Sequence, residues 1–114
     1  MDKKTLRALR GSIRKWHKIA YHEKINRGVR DCPLCRQFHS AFAKDVDYDD
    51  SCSNCPVQIR TGEPYCYETP YIKYTTRASN RIRYAIEERD FLISLLPPGK
   101  TVTLDGEQYY WEDE

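Results

Sequence analysis

Cys32-Pro33-Leu34-Cys35, sixteen intervening residues, Cys52-Ser53-Asn54-Cys55-Pro56 and then Cys66 make up the stretch on which the reading of this 114-residue chain turns. Two C-x2-C pairs at this separation carry the spacing of a zinc site. Each C-x2-C turn delivers two sulfurs to one side of a metal, and four thiolates about 2.3 Å away complete the tetrahedron that Zn²⁺ takes. The default ligands of one structural Zn²⁺ are therefore Cys32, Cys35, Cys52 and Cys55. Cys66 is the alternative ligand, able to replace Cys52. His39 is a more distant candidate whose plainer reading is a surface histidine in the linker. Four thiolates close the coordination sphere and leave no position for a catalytic water, so the expected zinc is structural.

The composition agrees with a metal-stapled fold. Hydrophobic residues are 39% and charged residues 32%, so one thin core is expected over a single domain, residues 1–114. A structural zinc can add on the order of 10 kcal/mol of apparent folding free energy. The basic N-terminus is followed by no apolar run of the kind a signal peptide needs, and nothing approaches the roughly 20 apolar residues of a membrane helix. The expected setting is cytoplasmic, where paired cysteines more often mean metal than disulfide. The odd count of five points the same way.

Working outward toward the N-terminus, residues 3–27 read as an amphipathic helix. Leu6, Leu9, Ile13, Trp16 and Ala20 recur at steps of three and four and share one stripe. Lys3, Arg7, Arg10, Arg14 and Lys18 form a second, basic stripe well away from it. Gly11 costs about 1 kcal/mol in a helix interior. That cost suggests Ser12 as the N-cap of the packed part, with residues 1–11 as a frayed basic extension. Asn26-Arg27-Gly28 supplies the stop. Residues 1–30 hold ten Lys/Arg against two acids, a net of +8, whereas residues 31–114 hold nine against fifteen, a net of −6. A basic arm on an acidic body suggests a polyanionic partner or docking onto its own body.

Toward the C-terminus, Phe38 and Phe42 are the expected anchors between the two knuckles, and Asp45, Asp47, Asp49 and Asp50 read as an acidic loop. The aspartates lack the Gly and terminal Glu of a calcium loop. Thr61-Gly62-Glu63-Pro64 marks a turn. Thr69-Pro70 then starts a helix with Thr69 as N-cap, and helical spacing continues from Tyr71 to Leu96 until Pro97-Pro98-Gly99 ends it, the adjacent Thr75-Thr76 being the point where it could break. Lys73, Arg77 and Arg81 fall on one face of that helix at i, i+4 and i+8. Residues 99–114 give a hairpin around Asp105-Gly106, with Val102, Leu104, Tyr109 and Trp111 on its covering face, and an acidic tail, Glu112-Asp113-Glu114.

No catalytic constellation emerges. His17 and His22, five residues apart on one helix, are not expected to face each other. Glu87, Glu88 and Asp90 read as the solvated face of the second helix. Cys66 as a nucleophile would need an activating neighbour that spacing cannot supply. The zinc-deaminase signature is not met, because Asp31 rather than Pro precedes the first pair. The basic helices and nine tyrosines suit phosphate contacts and base stacking.

Ser12-Ile13-x-Lys15-Trp16-x-x-Ile19, Cys32-Pro33-Leu34-Cys35, Cys52-x-x-Cys55-Pro56-Val57, Thr61-Gly62 and Cys66-x-x-Thr69-Pro70-Tyr71, taken in order, resemble a family of small Cys-rich, zinc-binding proteins of tailed phages, prophages and bacteria. The resemblance covers roughly residues 12–96, leaving out residues 1–11, the Asp-rich loop and the hairpin. It implies a family pattern with all five cysteines, so Cys66 stays open as a ligand, and a bacterial host cytosol; it implies no activity.

The resulting expectation is a mainly α fold with a small β element: two helices flanking a two-knuckle zinc site, and a C-terminal β-hairpin. The expected function is non-enzymatic binding of nucleic acid through Lys3, Arg7, Arg10, Arg14, Lys18, Lys73, Arg77 and Arg81. The alternative is a phage-type adaptor or inhibitor that meets a host protein through the acidic body, and a minor one is a small hydrolase. No small-molecule substrate and no membrane are implied.

Overall fold

The computed structural model describes residues 1–39, 54–62, 66, 69–76 and 79–110. Phe42, the aspartates at 45, 47, 49 and 50, Cys52, Arg77, Trp111 and the acidic tail lie outside the described residues. The fold is mainly helical with one small antiparallel hairpin, as the pattern predicts.

Helix α1 spans Lys3–Tyr21. Its cap is Asp2, whose carboxylate accepts the Thr5 N–H at 2.7 Å and places a negative charge at the positive end of the helix. Leu6, Leu9, Ile13, Trp16 and Ala20 are all buried, Leu9 and Ile13 at 0% exposure. Full burial of such side chains contributes about 1.5–3 kcal/mol each. This corrects the expectation of a frayed 1–11 segment capped at Ser12, because the first two turns carry Leu6 and Leu9 into the core.

Gly11 is explained by a neighbour rather than by a helix start. A Cβ at this position would lie 2.9 Å from Pro33 Cγ, so its absence lets the backbone of α1 approach the Pro33 ring. Gly11→Ala sets a helix-propensity gain of about 1 kcal/mol against overpacking of about 1–3 kcal/mol. We expect a net loss of about 1 kcal/mol in denaturant unfolding; a gain would show that the Pro33 ring gives way.

Helix α1 ends six residues before the expected stop. The His22 and Lys24 N–H groups both return to the Lys18 carbonyl, and Glu23 takes a positive φ of 55°. The apolar stripe ends at Ala20 and Ile25 is exposed, so further turns would bury nothing.

A 3-10 turn, Gly28–Asp31, leads into α2, Pro33–Phe38; helix α3 is Pro56–Thr61. Cys32 and Cys55 are the N-caps of α2 and α3, each followed by a proline at the first helical position. Proline is at home there, because that position has no intrahelical use for its N–H. Cys32-Pro33 and Cys55-Pro56 are thus helix starts. Gly62, left-handed at φ 77°, closes α3 and donates its N–H to the Gln58 carbonyl at 2.7 Å.

The expected second long helix is two: α4, Pro70–Thr76, and α5, Arg81–Ile93. Thr69 accepts the Tyr71 N–H at 3.2 Å, as an N-cap should. At the other end the Thr75 and Thr76 hydroxyls both donate to the Ile72 carbonyl, offering the backbone an alternative to the helical ladder. Asn80 then turns left-handed. Lys73 and Arg81 therefore sit on different helices, and the single basic face drawn through them does not form.

Strands β1, Val102–Leu104, and β2, Glu107–Tyr109, pair with Val102 opposite Tyr109 and Leu104 opposite Glu107. Asp105 and Gly106, both at positive φ, make the two-residue turn that matches strand twist. Val102 and Leu104 are buried in the one core that α1, α5 and the Leu95-Leu96 segment build. Among the described residues, no helix is long and apolar enough to cross a membrane.

Candidate functional site

Cys32, Cys35, Cys55 and Cys66 all line one cavity of about 90 Å³. Helix geometry explains the first three: Cys32 and Cys35 lie at the start of α2, and Cys55 at the start of α3. Cys66 arrives at a left-handed φ of 65°, with its carbonyl accepting the Thr69 hydroxyl at 2.8 Å. A non-glycine residue held in this conformation is a local cost that the surrounding contacts sustain. Cys66, the alternative ligand, thus shares the cavity with Cys32, Cys35 and Cys55. His39, read as a surface histidine, is half-buried on the same cavity wall.

The wall also contains charges. The Cys32 sulfur accepts the Cys35 N–H at 3.4 Å and lies 3.8 Å from the Ser12 hydroxyl. The Cys35 side chain, the Cys35 N–H and the Lys15 ammonium hold the Cys32 thiol well below its ordinary range, against the effect of burial. That is the direction a metal ligand needs, since the thiolate is the binding form. Lys15 is only 4% exposed; it donates to the Gly28 carbonyl at 3.1 Å and pairs with Asp31 at 2.8 Å. Burial works against the Asp31 carboxylate, but Lys15 and Lys24 keep it below the usual range.

Glu88 corrects another expectation. It is 2% exposed rather than solvated, its carboxylate accepts the Tyr71 N–H at 3.0 Å, and burial pushes it up to about 7. Cys32, Cys35, Cys55 and Cys66 share this cavity wall, Cys32 is already held toward the thiolate, and thiolates are ligands that Zn²⁺ takes. Cys32, Cys35, Cys55 and Cys66 are the described residues that would hold it.

A second cluster forms where the hairpin meets α1. His17 and His22, expected not to face each other, both reach Asp105: His17 Nε2 at 2.7 Å and His22 Nε2 at 2.9 and 3.0 Å. His22 caps the helix instead of continuing it, and the β-turn brings in the carboxylate. Two imidazoles and a carboxylate could hold a metal, but Arg89 argues otherwise. Its Nη1 lies 3.1 Å from His17 Nδ1, and a guanidinium only donates. His17 Nδ1 is therefore the acceptor, which puts the ring proton on Nε2, facing Asp105. The cluster is a hydrogen-bonded clasp between helix and hairpin, backed by Arg89 between the rings of Tyr21 and Tyr109 at 5.7 and 5.3 Å.

The clasp has a pH signature. Hydrogen bonds from His17 and His22 hold the Asp105 carboxyl below its ordinary 3.8. A depressed folded-state value means a stabilising contribution that is present above that ordinary value and lost as pH falls through the folded one. We expect the amides of Val102 and Leu104 to lose exchange protection below about pH 4, ahead of those of α1. Asp105→Asn should show the weakened hairpin already at neutral pH; unchanged protection in that variant would count against the clasp.

The basic row divides. Lys3, Arg7, Arg14 and Lys18 are exposed, and Arg10 is half-buried with its Nε donating to the Thr101 carbonyl at 2.8 Å. None of these five makes an ion pair with another described residue. Arg14, Lys18 and His22 border a cleft of about 420 Å³ between α1 and the hairpin, with Thr103 and Asp105 opposite. Lys73 and Arg81 are exposed apart from this row, with Arg81 6.0 Å from the Tyr74 ring. Comparison with protein-family models, curated proteins and solved structures finds no match for this chain.

Proposed function

We propose that the protein is a zinc-stabilised, non-enzymatic binding module that takes nucleic acid on the basic face of α1. The observation that supports this best is the row Lys3, Arg7, Arg14 and Lys18, exposed and without an acidic partner among the described residues. Like charges one turn apart on a helix repel by a few tenths of a kcal/mol per pair. A chain that keeps such a row on a helix whose other side is buried gains something from it, and a polyanion supplies the missing countercharge. The zinc, held by thiolates, serves the fold, and a bacterial or phage cytoplasmic setting belongs to the same proposal.

Salt dependence tests the reading. Four phosphate contacts, one per exposed cation of the row, give a log–log slope of about −3.6 on duplex and about −2.8 on single strands. Affinity read by anisotropy of labelled oligonucleotides should thus fall by about two orders of magnitude between about 50 and 200 mM salt. Absence of binding at the lower salt, or binding insensitive to salt, would remove nucleic acid as the ligand.

A further inference from the structure

We infer that the strand bound by α1 is single-stranded nucleic acid, with its phosphates along the basic row and a base stacked on Tyr21. The inference rests on the proposed nucleic-acid function and adds which form is bound and where its bases go. At about 100° per residue, Tyr21 falls within the arc occupied by Lys3, Arg7, Arg10, Arg14 and Lys18. It is the last residue of the helix, so the row of cations ends on an aromatic ring about 27 Å from Lys3.

That ring is built as a platform. Tyr21 is 53% exposed, yet it is not loose. The His17 ring packs against it at a centroid distance of 4.8 Å, and the Arg89 guanidinium supports it at 5.7 Å. Arg89 is itself fixed by Asp90 and by His17. A supported, half-open aromatic ring beside cations is what an unpaired base stacks on, with little ordering left to do at binding.

The surroundings of α1 disfavour duplex. A helix with its side chains is 10–12 Å across, which nearly fills a major groove of about 12 Å. Helix α1 carries the hairpin at its side, tied on by Arg10 to Thr101 and by His17 and His22 to Asp105. The hairpin beside α1 limits how deeply the helix can enter the groove, and base-paired nucleotides offer Tyr21 no open π face. The Asp105 carboxylate in the adjoining cleft repels phosphate, which keeps the backbone on the outer row. A single strand meets all of these constraints.

The test measures the full-length, zinc-loaded protein against three probes: a labelled oligothymidylate, a duplex of equal length, and inorganic polyphosphate as a polyanion without bases. The single strand should bind at least tenfold tighter than the duplex. Tyr21→Leu, which keeps an apolar side chain over Arg89, should weaken the oligothymidylate about 5- to 100-fold and leave polyphosphate unchanged. Equal affinity for single strand and duplex would overturn the inference. So would a Tyr21→Leu loss that polyphosphate shares, because stacking cannot act on a ligand without bases. In both cases charge-driven binding, and with it the proposed function, would stand; failure of the wild-type protein to bind any of the three would instead remove that function.

Discussion

Cys32→Ser is expected to yield a protein that no longer retains zinc and that is largely unfolded at ambient temperature. The substitution is informative because serine is itself a preferred N-cap. Cys32 caps α2 by accepting the Cys35 N–H, and a serine oxygen can do the same, so the local helix start survives while the sulfur does not. What is lost is a proposed metal ligand. Structural zinc contributes on the order of 10 kcal/mol, comparable to the whole stability of a domain, about 5–15 kcal/mol. Zinc content and a circular-dichroism melt check this together, with chelation of the wild-type protein as the matched control. A Cys32→Ser protein that holds one zinc and melts with the wild type would sink the proposed centre.

Reversing Arg7 and Arg14 to glutamate is expected to lower nucleic-acid affinity by about 100-fold or more at low salt and to reduce the salt slope by about 1.8 on duplex or about 1.4 on single strands. Both side chains are exposed and make no ion pair with other described residues. Zinc content and melting temperature should therefore stay near the wild type. The double variant separates the binding surface from the fold as Cys32→Ser cannot. Retained affinity would move the ligand away from α1, toward Lys73 and Arg81 or to another class of partner.

The parts of this fold that were legible in the sequence are those set by local rules. The buried stripe of α1, the Asp105-Gly106 turn and its register, and the Thr69-Pro70 helix start follow from periodicity and turn chemistry alone. The starts of α2 and α3 carried an equally local signal, a proline directly after Cys32 and Cys55, which the metal spacing overshadowed. Glu88 was also readable in principle: it falls in step with Ala85 and Leu92, three before and four after, so its burial continues their stripe. Lys15 and the clasp were not readable. Lys15 is buried where it meets the Gly28 carbonyl and the Asp31 carboxylate of the 3-10 turn, and Asp105 meets His17 across 88 residues of chain. Such contacts depend on how elements pack, which no window of sequence contains. The same holds for the cavity wall, where His39 and Cys66 lie with Cys32, Cys35 and Cys55.

Helix α1 also keeps two neighbourhoods apart. Ser12, Lys15 and Trp16 line the cysteine cavity, whereas Arg14, His17 and Lys18 border the hairpin cleft, with no residue in common. Substitutions in separate neighbourhoods that share no partners combine additively, within about 0.5 kcal/mol. A lineage could therefore rebuild the hairpin side without re-optimising the cysteine side, one helix serving as a partition between two independently evolvable halves.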